Sequence, residues 1–402
     1  MTLNAPWAYF VLVIIVLAVV ALPLFRLIEN SVDTRVRYAA IDGLRGFLAL
    51  SVFVFHLLVM HQFITTGVWD VPASRFYALL GPIGVSLFFM ITGFLFWGKM
   101  LRVKGRPRWG ELYIGRLFRI GPMYLFVVLI MFWIVFARTG FVLHEPIAAV
   151  ATSVMQWLAL GMIDMQPDVN GVRATHVLAG VTWTIWYEWL FYVSLLLTTW
   201  FTRGRLHGWF VSGALVACLA GKIFFKLDAM GFAVLFLSGM AVASLLHENL
   251  KLRVPDNISS AIAVACMAMI FVFSRSGYGT VTAMLLMLFF YLVCSGSSLF
   301  GLLLTMPARR LGNISYSLYL MQGLVLTLVF GMTPIRNFAM TSPQQYWLIG
   351  IVCAGLLLLG AALGYVCIER PGIAFGKGLI RRRARRQAGN AAPVTSTPAS
   401  QR

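Results

Sequence analysis

The chain has 402 residues, of which 60% are hydrophobic and only 11% charged. Soluble domains carry about 25% charged residues, so a water-soluble enzyme or binding module is excluded. A net charge of +19 would suggest nucleic acid in a soluble chain, but here the cations sit in short loops and the C-terminal tail, where they orient helices in a bilayer.

Long apolar runs predict membrane helices rather than barrel strands. They fall near 7–25, 42–60, 79–97, 120–137, 146–162, 183–201, 208–225, 229–246, 258–274, 279–300, 313–332 and 346–368. The first is not a signal peptide: no Lys or Arg precedes it, its apolar run is too long, and Arg26, Arg35 and Arg37 follow it. Positive-inside logic places 26–41 in the cytoplasm and the N-terminus outside. The next basic loop carries Lys99, Arg102, Lys104, Arg106, Arg108, Arg116 and Arg119, and it falls inside by the same parity.

The loops with Arg203 and Arg205, with Arg309 and Arg310, and the tail RRRARR (381–386) also read as cytoplasmic. All three would fall outside if 146–162 crossed the bilayer. That run is short, begins at Pro146 and contains Gln156, so it is expected to be re-entrant or to lie at the outer surface. Eleven crossings remain, with the C-terminus inside. Neither an internal repeat nor a soluble domain is visible. Five cysteines lie in apolar runs without CxxC spacing, which indicates neither a disulfide framework nor a zinc site.

Arg45 and His56 share the stretch IDGLRGFLALSVFVFHLLVM (41–60). Eleven helical steps of about 100° return to the same face, and span roughly 16 Å, so a cation near one bilayer edge aligns with an imidazole well inside. Intramembrane ionisable groups are costly and point to function, although an anchoring Arg and a structurally bonded His fit equally well. Arg116 and Arg119, three apart, also share a face. They read either as positive-inside anchors or as a forked phosphate site. Glu188, in TWTIWYEWLFY (182–192), needs a partner among its aromatic neighbours and is expected in the outer half with His56. GPIGVSLFFMITGFLFW (81–97) reads as close helix packing. His61, His144 and His176 are expected in solvated outer loops, with His144 beside Glu145 a weak contact for an acceptor. His207 and His247 sit at inner loop edges.

Walker A, GxGxxG, HExxH, GxSxG and His-x-x-x-Asp patterns are all absent, which lowers the weight of ATP hydrolysis, redox cofactors and zinc chemistry. Six blocks in order resemble the acyltransferase type 3 membrane proteins. They are IDGLRGFLALSVFVFH, GVSLFFMITGFL (84–95, with Thr92 where Ser is commoner), RLFRIGPMY (116–124), WTIWYEWLFY (183–192), LGNISYSLYLMQ (311–322) and IERP (368–371). Two features depart from that pattern: Gln322 stands where many members have His, and the helix at 7–25 is additional.

The resemblance implies an all-α, multi-pass bundle in the bacterial inner membrane: an extra N-terminal transmembrane helix and linker (1–34), a ten-helix acyltransferase domain (35–372) and a basic, disordered cytoplasmic tail (373–402). It implies transfer of an acyl group, most simply acetyl, from cytoplasmic acyl-CoA to a hydroxyl of a cell-envelope or exported glycan or glycolipid. The enzyme would act alone or with a separate extracytoplasmic transferase protein, and use neither metal nor nucleic acid. Arg45, Arg116 and Arg119 would bind the acyl-CoA phosphates. His56 would be general base or transient acyl carrier, Glu188 would orient it, and Arg45 would complete the catalytic set. A proton-coupled transporter or flippase is the rival reading, since such carriers also use buried His, Glu and Arg.

Overall fold

A computed structural model describes residues 3–29 and 39–390. Arg35, Arg37 and the tail beyond 390 therefore lie outside the described residues. Among those described, every regular element is helical apart from one bridge between Val169 and Val172. Apolar surroundings require backbone groups to be satisfied within each segment, and the helix does this.

The order is α1 (Trp7–Ala21), α2 (Ala39–Thr66), α3 (Arg75–Arg102), α4 (Trp109–Arg138), α5 (Ile147–Leu158), α6 (Ala174–Val177), α7 (Trp183–Thr198) and α8 (His207–Phe225). It continues through α9 (Asp228–His247), α10 (Asp256–Phe273), α11 (Thr280–Ser295), α12 (Met306–Asn313), α13 (Ser315–Gly331), α14 (Thr333–Met340), α15 (Pro343–Gly364) and α16 (Arg370–Asn390). Among the described residues, seven helices are long and apolar enough to cross a membrane, or eight if α12 and α13, bent by 69°, form one span. The chain is thus a multi-pass helical membrane protein. Three of the eleven expected crossings are short: α1, α7 and α11 have 15, 16 and 16 residues.

Contacts between helix ends sort into two faces. On one, Arg310 of α12 meets the C-terminus of α1, His207 at the start of α8 meets Glu248 beyond α9, and Asp256 at the start of α10 meets Ser298 beyond α11. The opposite face joins the start of α3 to the residues before α1 (Tyr77 to Ala5) and to the end of α10 (Arg75 to Ser274). Eleven helices (α1–α4, α7–α11, α13 and α15) alternate between these faces.

The segment 139–182 does not cross. Asn170 binds Thr139, Val142 and the His144 N–H, which ties its return limb to the end of α4. Meanwhile Tyr124 donates to the Trp157 carbonyl at the far end of α5. Tyr124 lies fourteen residues before Arg138, about 21 Å down α4, so α5 plunges and the chain returns. Re-entry is the geometry observed.

The additional helix is firmly docked. Arg310, 2% exposed, donates to the carbonyls of Val20, Ala21 and Leu22 and pairs with Glu29 at 2.7 Å, capping α1 with a cation where the helix dipole is negative. At its other end the Leu3 carbonyl accepts from Trp347. Residues 373–390, expected to be disordered, continue as α16: Arg, Ala and Gln are good helix formers, and Gly372 and Gly376 pack against Pro122 and Phe118 of α4.

Small residues let α3 and α9 touch backbone to backbone. A Cβ at Gly93 would stand 2.2 Å from the Phe236 carbonyl oxygen, and one at Gly239 2.0 Å from that of Met90. Gly93→Val is expected to cost about 3 kcal/mol or more, because the obstacle is backbone. Detergent-solubilised protein should show a lowered melting temperature and aggregation on size exclusion; wild-type behaviour in both would contradict this packing.

Candidate active site

A cavity of about 300 Å³ enters the bundle from the basic face between α2, α3, α4, α7 and α13. Asp42, with half of its side chain exposed, lies at the mouth. Arg45, Arg116, Arg119 and Glu188 line the walls, and Val85, Phe88 and Tyr319 close the inner end. Thr92 also lines it.

The three guanidiniums are held by different means. Arg45 stands 3.7 Å from Asp42, with Arg119, Glu369 and Arg116 as its further charged neighbours. Arg116 stacks over Phe96, its Cζ 4.2 Å from the ring centre, with Tyr192 on another side at 5.7 Å. Glu369 is 2% exposed and accepts from the Ser317 hydroxyl at 2.7 Å, with Arg119 and Arg45 as its charged neighbours. A π-helical turn, Tyr365–Glu369, carries it inward at the end of α15.

Glu188 departs from the outer position expected of it. It lies in the cavity with the guanidiniums, where its carboxylate accepts from the Tyr192 hydroxyl at 2.8 Å, and it is not bonded to His56. The physical reason is depth: the re-entrant segment carries the chain into the bundle before α7 begins, so a residue five places into α7 is already close to the arginines.

His56 does not line the cavity; it lies on the face of α2 that also carries Arg45 and is linked through Gln322 to the lining residue Tyr319. Its Nδ1 is 3.0 Å from the Val52 carbonyl and 3.3 Å from Gln322 Oε1. Gln322 is fully buried, and its Nε2 donates to the Tyr319 carbonyl at 2.8 Å, which turns the amide oxygen toward His56. Both neighbours of Nδ1 are acceptors, so Nδ1 carries the proton and the neutral ring keeps a lone pair on Nε2. Gln322 fills the orienting place that had been expected of Glu188.

The remaining histidines lie apart from the cavity. His176 stacks on Trp69 at 4.9 Å, His61 packs edge-on to Tyr346, and His207 pairs with Glu248, so the first two are packed rather than simply solvated. Among the described residues no three His, Cys, Asp or Glu side chains converge as metal ligands would.

A family model described as an acyltransferase domain matches residues 38–366 of the chain. The chain belongs to the acyltransferase 3 family. No curated protein and no solved structure shows a significant match. The protein is accordingly a multi-pass membrane acyltransferase, and α1 lies before the matched domain. Among the site residues, those that sequence reasoning left without a role are Tyr192, Ser317, Tyr319 and Glu369, the last lying just past the matched segment. The available signals for Glu369 were an acid at the end of a long apolar run and its place in the IERP block.

Removing that acid takes a buried counter-charge from Arg119 and Arg45. Glu369→Ala is expected to destabilise the protein by about 3–5 kcal/mol, with Glu369→Gln milder because it keeps the bond to Ser317. Thermal unfolding in detergent checks this, and an unchanged melting point for Glu369→Ala would contradict the pairing.

Proposed function

We propose that this acyltransferase moves an acyl group, most simply acetyl, from cytoplasmic acyl-CoA to a hydroxyl of an envelope or exported glycan or glycolipid. The basic face then looks into the cytoplasm, with the N-terminus outside and the C-terminus inside, in the inner membrane of a bacterium. Positive-inside logic supports that orientation, because α12, α16 and the basic loop before α4 all lie on one face.

One observation carries the reading: Arg45, Arg116 and Arg119 share a cavity whose lining residue Tyr319 is linked through Gln322 to an imidazole whose Nδ1 is already committed. Guanidinium forks bind phosphates, of which a CoA nucleotide has several. The aromatic wall of Phe88, Phe89 and Phe96 suits the slender thioester arm.

The chemistry follows from the free lone pair. The acceptor hydroxyl gives its proton to His56 Nε2 as its oxygen attacks the thioester carbonyl. The C–S bond breaks, and the imidazolium returns the proton to the departing thiolate, so that CoA leaves as the thiol. Gln322 holds the tautomer, and Glu188 with Tyr192 holds the Arg116 environment. A separate extracytoplasmic transferase would be needed only where the final acceptor lies beyond reach of the membrane.

His56→Ala is expected to lower acyl transfer by about 10²–10⁴-fold while membrane levels of the protein stay normal. Gln322→Leu removes one hydrogen bond of roughly 1 kcal/mol, so a loss of about fivefold is expected in kcat. Arg116→Gln with Arg119→Gln should weaken acyl-CoA binding by roughly 10- to 100-fold. Purified protein with radiolabelled acetyl-CoA provides the assay: CoA release and product labelling support transfer. Transport of a glycan without CoA release would instead support a carrier. Normal transfer by His56→Ala would remove the imidazole from the reaction.

A further inference from the structure

Across α3 from the arginine cavity, the basic face holds a second cleft. It has two lobes of about 350 and 370 Å³ that share Lys251 and Arg253. One lobe lies between the start of α10 and the end of α11, over Asp256, Ser259, Ser295 and Gly296. The other runs along α3 and α9 past Gly98, Arg102 and His247. α3 turns Phe94, Gly98 and Arg102 to this cleft and Ile91, Leu95 and Phe96 to the arginine cavity, so its body separates the two.

The cleft is built for an anion. Arg102, Lys251 and Arg253 line it, against one carboxylate, Asp256. That carboxylate is occupied: it accepts from the Ser298 N–H at 2.8 Å, the Ser298 hydroxyl at 2.7 Å and the Ser260 hydroxyl. Ser295 is nine-tenths buried and its hydroxyl has no partner among the described residues, an unsatisfied group in a position where such groups are rare. The floor beside it is Gly296, at φ +125°, where a Cβ would come within 3.8 Å of Lys251 Nζ.

The Lys251 backbone is also fixed. The Tyr291 hydroxyl accepts from the Leu252 N–H at 2.9 Å and donates to the Leu250 carbonyl at 2.8 Å, clasping the residue between them. Leu250 and Leu252 are 58% and 45% exposed, so apolar side chains flank the cations at the level where the helices end. Cations beside exposed leucines, at a pocket between membrane helices, match the two halves of a phospholipid.

We propose that this cleft holds the phosphate-bearing headgroup of an anionic membrane lipid, with Leu250 and Leu252 against its acyl chains. The lipid phosphate meets Lys251, Arg253 and Arg102, with the unpartnered Ser295 hydroxyl beside it. The site is independent of the donor cavity and of the acyl-transfer reading.

Native mass spectrometry of the full chain in mild detergent tests this, with phosphatidylglycerol and phosphatidylcholine as probes. Wild type should retain phosphatidylglycerol in preference to phosphatidylcholine. Lys251→Gln with Arg253→Gln should lower phosphatidylglycerol retention by roughly 25-fold, each cation near a membrane surface being worth about fivefold. The charge-conserving pair Lys251→Arg and Arg253→Lys should keep most of it. Equal retention by the Gln pair would overturn the proposal, as would equal loss in the charge-conserving pair. Displacement of the lipid by inorganic phosphate or acetyl-CoA at matched concentration would also overturn it, and assign the cleft to a soluble anion.

Discussion

Arg45, Arg116 and Arg119 converge on one cavity inside an apolar bundle, and their mutual repulsion there must be offset. Buried ions are tolerated only when paired and hydrogen-bonded. Asp42, Glu188 and Glu369 supply the counter-charges, each from a different helix, while Phe96 and Tyr192 supply π-faces for Arg116. Much of the architecture around the cavity serves this arrangement. The π-helical turn brings Glu369 inward, the bend between α12 and α13 brings Ser315 and Tyr316 to the wall, and the re-entrant segment seats Glu188 at depth.

The second organising element is a chain of directed hydrogen bonds. The Tyr319 carbonyl fixes the Gln322 amide, the amide oxygen receives His56 Nδ1–H, and Nε2 keeps its lone pair. Close contact of α2 with α3 keeps this alignment: a Cβ at Gly84 would fall 2.7 Å from Val52, the residue whose carbonyl also receives Nδ1–H. Helix packing and proton placement are thereby linked through a few small residues.

Much of the fold was legible in the sequence. Apolar run length and loop charge separated the segment at 146–162 from the crossings: α5 is only twelve residues long, too short to span, and the basic loops after it require that it not cross. The eleven-residue spacing of Arg45 and His56 fixed their common face, since one straight helix carries both. Depth was not legible where a helix begins below the surface: Glu188 was counted from the start of α7 as if that start lay at the membrane edge. Long-range partners were hidden as well. Gln322 is 266 residues from His56, and Glu369 is 52 from Ser317, distances at which helical periodicity says nothing. Composition reads the basic tail as disorder, whereas residues 373–390 continue as helix, the first of them packed on α4.

The central claim is that one path joins the guanidinium cavity to the free nitrogen of His56. Its most direct test is a cryo-EM structure of the His56→Ala variant with acetyl-CoA bound. The account predicts nucleotide phosphates against Arg45, Arg116 and Arg119, with the thioester passing Phe88 and Tyr319 toward position 56. Density for the donor outside that cavity, or a thioester pointing away from Gln322, would contradict it.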